Sequence, residues 1–192
     1  NMALTVKNIN QAEASIAKAD VLVMQCEVPL EANQRAAEIA KENGTLVILN
    51  PAPAQLIPNH TLELVDIITP NETETEILTG LPTKTEDEVI LAGKSLLSKG
   101  VKTVILTLGE RGSMLLTKNG EKIIPAFDVN AVDTTAAGDS FCGALAASLA
   151  DGKSINSSVE IANAAGALAV TILGAEPSLP HRDAIESLLQ SN

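Results

Sequence analysis

The segment Asp133-Thr134-Thr135-Ala136-Ala137-Gly138-Asp139-Ser140-Phe141 places two alanines and a glycine directly before a carboxylate. The residues that follow, Phe141 to Ala150 (FCGALAASLA), read as helix, so Asp139 stands near a helix start. An acidic side chain there ordinarily caps the helix, accepting hydrogen bonds from free backbone N–H groups. Thr107-Leu108-Gly109-Glu110-Arg111-Gly112 sets two glycines three apart, which permits close backbone approach to a ligand such as phosphate. A plain turn closing a strand has the same composition. No Gly-Lys-Ser/Thr follows it, so it is not a Walker A loop, and Gly-x-Gly-x-x-Gly is absent from the chain. Asn71-Glu72-Thr73-Glu74 fits a capping box, with Asn71 as cap and Glu74 as its partner. The same amide and carboxylate could face a hydrated magnesium ion, which keeps most of its waters and needs only one or two protein oxygens.

These segments need a scaffold that brings them together. Short apolar runs alternate with amphipathic ones. Val21-Leu22-Val23-Met24, Leu46-Val47-Ile48-Leu49, Leu64 to Ile68 and Val104 to Leu108 read as strands. Helices are predicted from Thr5 to about Lys18, Leu30 to Glu42 (ended by Gly44), Asn71 to about Leu78, and Thr85 to Lys99. Ser113–Lys118 and Glu121–Ile124 form a hairpin about Asn119-Gly120. Helices over about Gly138–Ala150 and Ser157–Ile172 and a short last one complete the chain. Strand–helix alternation with fully apolar strands predicts an α/β fold, a mostly parallel sheet with helices on both faces. In such folds ligands bind beyond the carboxyl ends of the strands. Polar or Gly/Pro clusters fall there: Gln25-Cys26-Glu27-Val28-Pro29, Asn50-Pro51-Ala52-Pro53, Thr69-Pro70-Asn71-Glu72-Thr73-Glu74 and the Gly109–Gly112 turn.

At 192 residues the chain predicts one domain with a real core, without repeats or linkers. Its 45% hydrophobic and 19% charged content is that of a soluble globular protein. No apolar run approaches the ~20 residues of a membrane span and no signal peptide is visible, which points to the cytoplasm and away from a membrane. A net charge of -11 with 1% aromatics excludes nucleic acid as a partner, because that ligand calls for basic patches and stacking rings. An anionic ligand would need its positive potential from backbone N–H groups and a metal. Cys26 and Cys142 read as two buried free thiols in a reducing compartment, and His60 and His181 are too few for a histidine-rich metal site. Asn1 precedes Met2, which suggests a segment of a longer protein.

Taken together and in order, DTTAAGDSF, TPNETE, TLGERG and Gly174-Ala175-Glu176-Pro177-Ser178, with NPAPA (Asn50–Ala54) and MQCEVP (Met24–Pro29), resemble the ribokinase-like carbohydrate kinase family. The likeness runs from Asn1 to the C-terminus. It departs from the family in two places. The Gly-Ala-Gly-Asp signature is Ala136-Ala137-Gly138-Asp139 here, a mild change because alanine also leaves the backbone accessible. The family's N-terminal glycine-rich sugar-binding signature and β-lid have no counterpart, so the likeness does not itself carry sugar binding, lid closure or a lid-mediated homodimer over to this chain.

The resemblance implies transfer of the γ-phosphoryl group of ATP to a sugar hydroxyl, with the 5-hydroxyl of D-ribose leading. Deoxyribose, fructose or a nucleoside are alternatives, as is an inactive nucleotide-binding module. It makes Asp139 the catalytic base and the backbone N–H groups of Ala136, Ala137 and Gly138 an anion hole at a helix start. Asn71 and Glu74 match the family's positions near the phosphates and hydrated magnesium. Thr107, Leu108, Gly109, Glu110, Arg111 and Gly112 match its ATP-binding turn, and Asn163 falls where the family lines the adenine pocket; a polar residue on an alanine-rich helix is the plainer reading. Glu27 matches a sugar-contacting carboxylate. Asp133, Thr135, Gly174 and Ser178, with backbone carbonyls of Ala169 and Ile172, match a monovalent-cation site taking potassium, for which a loop cap at Asp133 is the alternative.

Overall fold

The computed structural model describes residues 1–191. In it β1 (Val21–Gln25), β2 (Leu46–Asn50), β3 (Ile67–Ile68) and β4 (Thr103–Thr107) lie side by side in chain order and pair in parallel. β5 (Ser113–Thr117) and β6 (Gly120–Ile124) complete a six-stranded sheet ordered β1 to β6. Val47, Ile48 and Leu49 of β2 and Val104, Ile105 and Leu106 of β4 are buried. Both faces of these strands are covered, which is why the sequence shows unbroken apolar runs there instead of alternation. The expected α/β architecture is the one observed.

The helices take their limits from local chemistry. α1 (Val6–Gln11) and α2 (Glu13–Lys18) precede β1. α3 (Leu30–Asn43) stops at Gly44, whose φ of 79° gives the left-handed cap that a side chain disfavours. Ala32, Asn33, Ala36, Ala37, Ile39 and Ala40 are its buried residues, and it packs on β1 and β2. After the short α4 (Asn59–Leu62), α5 (Glu72–Thr79) and α6 (Glu86–Ser98) begin with complete capping boxes, Asn71 with Glu74 and Thr85 with Glu88. At the start of β3, Asp66 donates its N–H to the Val47 carbonyl, and its carbonyl accepts from Thr103. Its carboxylate accepts from Lys41 Nζ at 2.7 Å, Lys102 Nζ at 2.8 Å and the Val47 N–H at 2.9 Å.

Three expectations need correction. The single helix from Thr5 to Lys18 is two, broken at Ala12 (φ -93°, ψ 3°). Asn8 and Asn10 are poor helix formers, and the Asn10 side chain is occupied by Arg35 instead of extending the helix. The third strand is Ile67–Ile68 alone. Leu64 and Val65 close turns onto Thr61 and Leu62 after α4, which the sequence reading omitted. A buried apolar run of that length has the same period in a turn as in a strand. The helix placed over 157–172 is α8 (Ile155–Ala169), capped by Ser154, which accepts from the Ser157 N–H.

Two compact units can be described within the chain: Asn1–Thr107 with Met114–Lys122, and Leu108–Ser113 with Ile123–Asn192. In the second, α7 (Ala137–Ala150) packs on α8, and α9 (Arg182–Gln190) packs on α8 as well. Among the described residues no helix is long and apolar enough to cross a membrane.

Candidate active site

The first turn of α7 holds the carboxylate singled out in the sequence. The N-cap position falls on Ala136, not Asp139, and no side chain caps the helix. The capping reading of Asp139 is therefore corrected: it is the third helical residue, exposed on the first turn. Ala136 takes φ 61° and ψ 7°, the one positive φ outside glycine among the described residues. Alanine for glycine is thus mild in size but not in conformation, since in this region Cβ crowds the following carbonyl. A left-handed residue leading into right-handed ones turns successive N–H groups to one side, a concavity suited to an anion, and the helix dipole adds to it. Of the three predicted donors, the Ala137 N–H is already given to the Thr134 carbonyl at 3.3 Å. The N–H groups of Ala136 and Gly138 have no hydrogen-bond partner among the described residues. Behind the turn, Ser140 Oγ donates to the Ala165 carbonyl of α8 at 3.1 Å. A Cβ on Gly166 would meet the Ala137 carbonyl oxygen at 3.4 Å, an ordinary van der Waals contact.

Asp133 joins two loops of the same unit. Its Oδ1 accepts from the Thr135 N–H (3.0 Å) and Oγ1 (2.7 Å), and its Oδ2 accepts from the Gly174 N–H (2.9 Å). The Val170 carbonyl accepts from both Val132 and Asp133. The Gly174 N–H and then the two Thr135 donors hold the Asp133 carboxyl below its ordinary range. Ala169 closes α8, Ile172 is exposed, and buried Ser178 donates to the Ala175 carbonyl at 2.7 Å. Asp133, Thr135 and Gly174 are thus directly bonded, and the loop-cap role of Asp133 is realised.

In the Gly109–Arg111 turn, Gly112 (φ 87°, ψ -129°) packs so closely on Ile124 and Pro125 that a Cβ would collide with their backbone. The Leu108 N–H donates to the Gly112 carbonyl at 2.8 Å, closing the turn. Buried Asn163 supports it: Nδ2 donates to the carbonyls of Ile124 and Pro125, both at 3.1 Å, and Oδ1 accepts from Ser113 Oγ at 2.6 Å. Ser113 was not anticipated. Its only signal was a buried hydroxyl opening a strand.

Glu27, Asn71, Glu74 and Thr107 belong to the first unit, where Glu27 follows β1, Asn71 and Glu74 follow β3, and Thr107 ends β4. Exposed Glu27 accepts from Asn1 Nδ2 at 3.0 Å. The Asn71–Glu74 capping box is formed, with both bonds 2.8 Å long. Thr107 bridges to Asn71 in parallel fashion and donates its N–H to the Pro70 carbonyl at 2.9 Å. Burial raises the pKa of Glu74, against the lowering effect of the Asn71 N–H. Burial also pushes the Cys26 thiol up; the Gln55 side chain works against this, and the charge of Glu74 adds to it. No cluster of three or more His, Cys, Asp or Glu able to hold a metal exists among the described residues. A hydrated magnesium ion does not need one. The box uses Glu74 Oε2, which leaves Oε1 of a partly desolvated carboxylate to receive metal-bound water.

Residues 1–182 match the pfkB family of carbohydrate kinases. The chain belongs to that family. Within it, the chain is 46% identical over 182 residues to a ribokinase of Haemophilus influenzae, a match covering 95% of this chain and 60% of that one. It is 38% identical over 194 residues to a deoxyribokinase of Salmonella typhi, covering 100% of this chain and 63% of that one. The Arabidopsis thaliana ribokinase solved with ribose and ATP superposes with a TM-score of 0.90 at 35% identity, covering 94% of this chain and 59% of that one. The chain therefore spans about three-fifths of the length of these pfkB-family relatives.

Proposed function

We propose that this chain carries the nucleotide-binding and catalytic residues of a ribokinase-type enzyme, which transfers the γ-phosphoryl group of ATP to the 5-hydroxyl of D-ribose. The observation that carries the reading is the uncapped, left-handed start of α7, with two unengaged N–H groups beside Asp139. Phosphoryl transfer passes through a loose transition state, so the attacking hydroxyl needs alignment and late proton removal more than prior ionisation. Asp139 accepts a hydrogen bond from that hydroxyl, fixes its direction, and takes its proton as the new P–O bond forms. The N–H groups of Ala136 and Gly138, with Ala137 once it turns from Thr134, receive the charge on the phosphate oxygens. The Gly109–Gly112 turn, with Thr107 before it, lets the backbone approach the nucleotide, and Asn163 borders the adenine side. Asn71 and Glu74 would hold waters of a magnesium ion, which would supply positive charge to the nucleotide's phosphates. Asp133, Thr135 and Ser178, with carbonyls of Ala169, Ile172 and Gly174, would hold potassium, which would supply fixed positive charge. Glu27 contacts the sugar.

Deoxyribose is the second reading, favoured by the 38% identity to a deoxyribokinase over the whole chain. Calorimetric titration with Mg-ATP tests the nucleotide half. The 192-residue chain is expected to bind, and Gly138→Val to abolish binding; an unchanged affinity in that variant removes the anion hole. The chemistry is tested after joining the chain to the part of the Haemophilus ribokinase outside the matched region. ADP release there is expected to depend on added ribose, and its absence while Mg-ATP still binds would overturn the phosphotransfer reading. In that protein Asp139→Asn should lower kcat by ~10²–10⁴ with Mg-ATP affinity within a few-fold. Near-wild-type turnover would remove Asp139 from the base role.

A further inference from the structure

Pairing between β1 and β2 ends where Gln25 lies opposite Asn50, and exposed Glu27 stands just beyond that point. Between the ladder and Glu27 is Cys26, which is buried, so its main-chain N–H and C=O both need partners. The segment after β2 supplies them. The Cys26 N–H donates to the Ala52 carbonyl at 2.8 Å. Residues 51–58 form neither helix nor strand, so the partner of the Cys26 carbonyl comes from a side chain instead of a ladder. Gln55 Nε2 donates to it at 3.1 Å, and the same half-buried side chain reaches the Cys26 thiol. Asn50 Oδ1 accepts from the Ala52 N–H at 3.2 Å, an Asx turn that curls the chain as it leaves β2. One residue before Cys26, the Gln25 carbonyl accepts from Asn33 Nδ2 of α3 at 2.7 Å.

We infer that Gln55 is a positioning residue for the sugar: by holding the Cys26 carbonyl it fixes the direction in which Glu27 leaves the end of β1. The carbonyl of Cys26 and the N–H of Glu27 belong to one planar peptide. Only ψ of Cys26 and φ of Glu27 therefore separate the anchored ladder from the Glu27 side chain, and the Gln55 bond fixes the first of them. Without that bond the peptide plane can turn, and Glu27 spends part of its time aimed away from a sugar. The sugar then binds only the competent fraction, and its apparent affinity falls in proportion. The nucleotide side is held separately, since Asn71 and Glu74 bond to each other and Thr107 donates to Pro70. Loss of Gln55 should thus be felt by the sugar alone. The inference rests on the reading of Glu27 as the sugar-contacting carboxylate.

Two measurements test it. In the 192-residue chain, amide hydrogen exchange compares the Cys26 N–H with the Thr69 N–H, which donates to the Leu49 carbonyl on the β3 side of β2. Gln55→Met keeps the side-chain length and removes the donor. It should speed exchange at Cys26 about fivefold and leave Thr69 within about twofold, which also shows that the fold is intact. In the protein joined to the rest of the Haemophilus ribokinase, the same variant should raise KM for ribose about fivefold, with kcat and KM for Mg-ATP within about twofold. Gln55→Arg returns an N–H donor and should restore KM for ribose. Glu27→Ala should raise KM for ribose as well, and Gln55→Met should add nothing in that background, because it acts through Glu27. Unchanged exchange at Cys26, a loss confined to kcat, or effects of Gln55→Met and Glu27→Ala that simply add each overturn the inference and leave the reading of Glu27 standing. A ribose KM indifferent to Glu27→Ala overturns that reading, and the inference with it.

Discussion

Ala136 holds its left-handed backbone without the conformational freedom of glycine, at about 1 kcal/mol or more. Ala136→Gly should therefore raise stability by about 0.5 kcal/mol, the relief being partly offset by a more flexible unfolded chain. Ala136→Val, β-branched at the same φ, should lower it by about 2 kcal/mol and weaken Mg-ATP binding. Denaturant midpoints decide; a destabilising glycine would mean that the turn is not strained. Asn163 makes the opposite kind of contribution. Its removal in Asn163→Ala leaves Ser113 Oγ and two carbonyls unpaired, and should cost about 2–3 kcal/mol with a loosened Gly109–Gly112 turn. If stability instead barely changes while ATP affinity collapses, its role is contact with the nucleotide and not support of the turn. At this scale the sequence shows that a carboxylate follows small residues at a helix start. It does not show which residue occupies the cap, because that depends on the φ of Ala136. Nor does it show what Asn163 holds, because its partners stand 38 to 50 positions away.

Elements are secured at the end of the strands opposite the candidate site, and Asp66 is the clearest case. Burial alone would raise its pKa, but the donors Lys102, Lys41 and the Val47 N–H outweigh burial and hold the carboxyl below its usual value. A carboxyl depressed by folding stabilises fully above its unfolded pKa of about 3.9, and that contribution is lost as pH falls through the lower folded value. Asp66→Asn should therefore cost about 1–2 kcal/mol at neutral pH, toward the low end because Lys102 is 65% exposed. The gap from wild type should close as the solution is acidified below about pH 4. Urea melts across that range check it, and a constant gap would refute the assignment. Helix starts were the most legible elements: Asn71 caps as its spacing to Glu74 predicts, and Thr5 and Thr85 cap the helices expected to start at them, because a capping box is local chemistry. Interruptions were the least legible. The shrinkage of the third strand to Ile67–Ile68, with Leu64 and Val65 turned onto Thr61 and Leu62, is carried by no local pattern, and the break at Ala12 shows only as the poor helix propensity of Asn8 and Asn10.

Across the whole molecule, a net charge of -11 has to coexist with an anionic nucleotide. Long-range repulsion is screened by salt, whereas the N–H groups at the α7 start act at contact distance. Mg-ATP affinity is thus expected to rise about twofold between about 10 mM and 150 mM salt, against the fall seen where basic patches bind anions. Titration at the two salt concentrations tests this, and a several-fold fall would show that local positive potential dominates. The two compact units add a constraint on heredity. The polypeptide passes from one to the other after Thr107, returns after Ser113 and leaves again after Lys122, so neither unit is a single stretch of sequence. A genetic crossover with a relative at any one of these points would give a chain whose nucleotide turn and whose α7 start come from different parents, or whose sheet does. Exchange that respects both units needs three breakpoints at once, with 108–113 travelling together with everything from Ile123 onward. Shuffled libraries built on single crossovers should therefore lose folded members most often when the break falls between 107 and 123, and inheritance at this locus should favour transfer of the whole stretch.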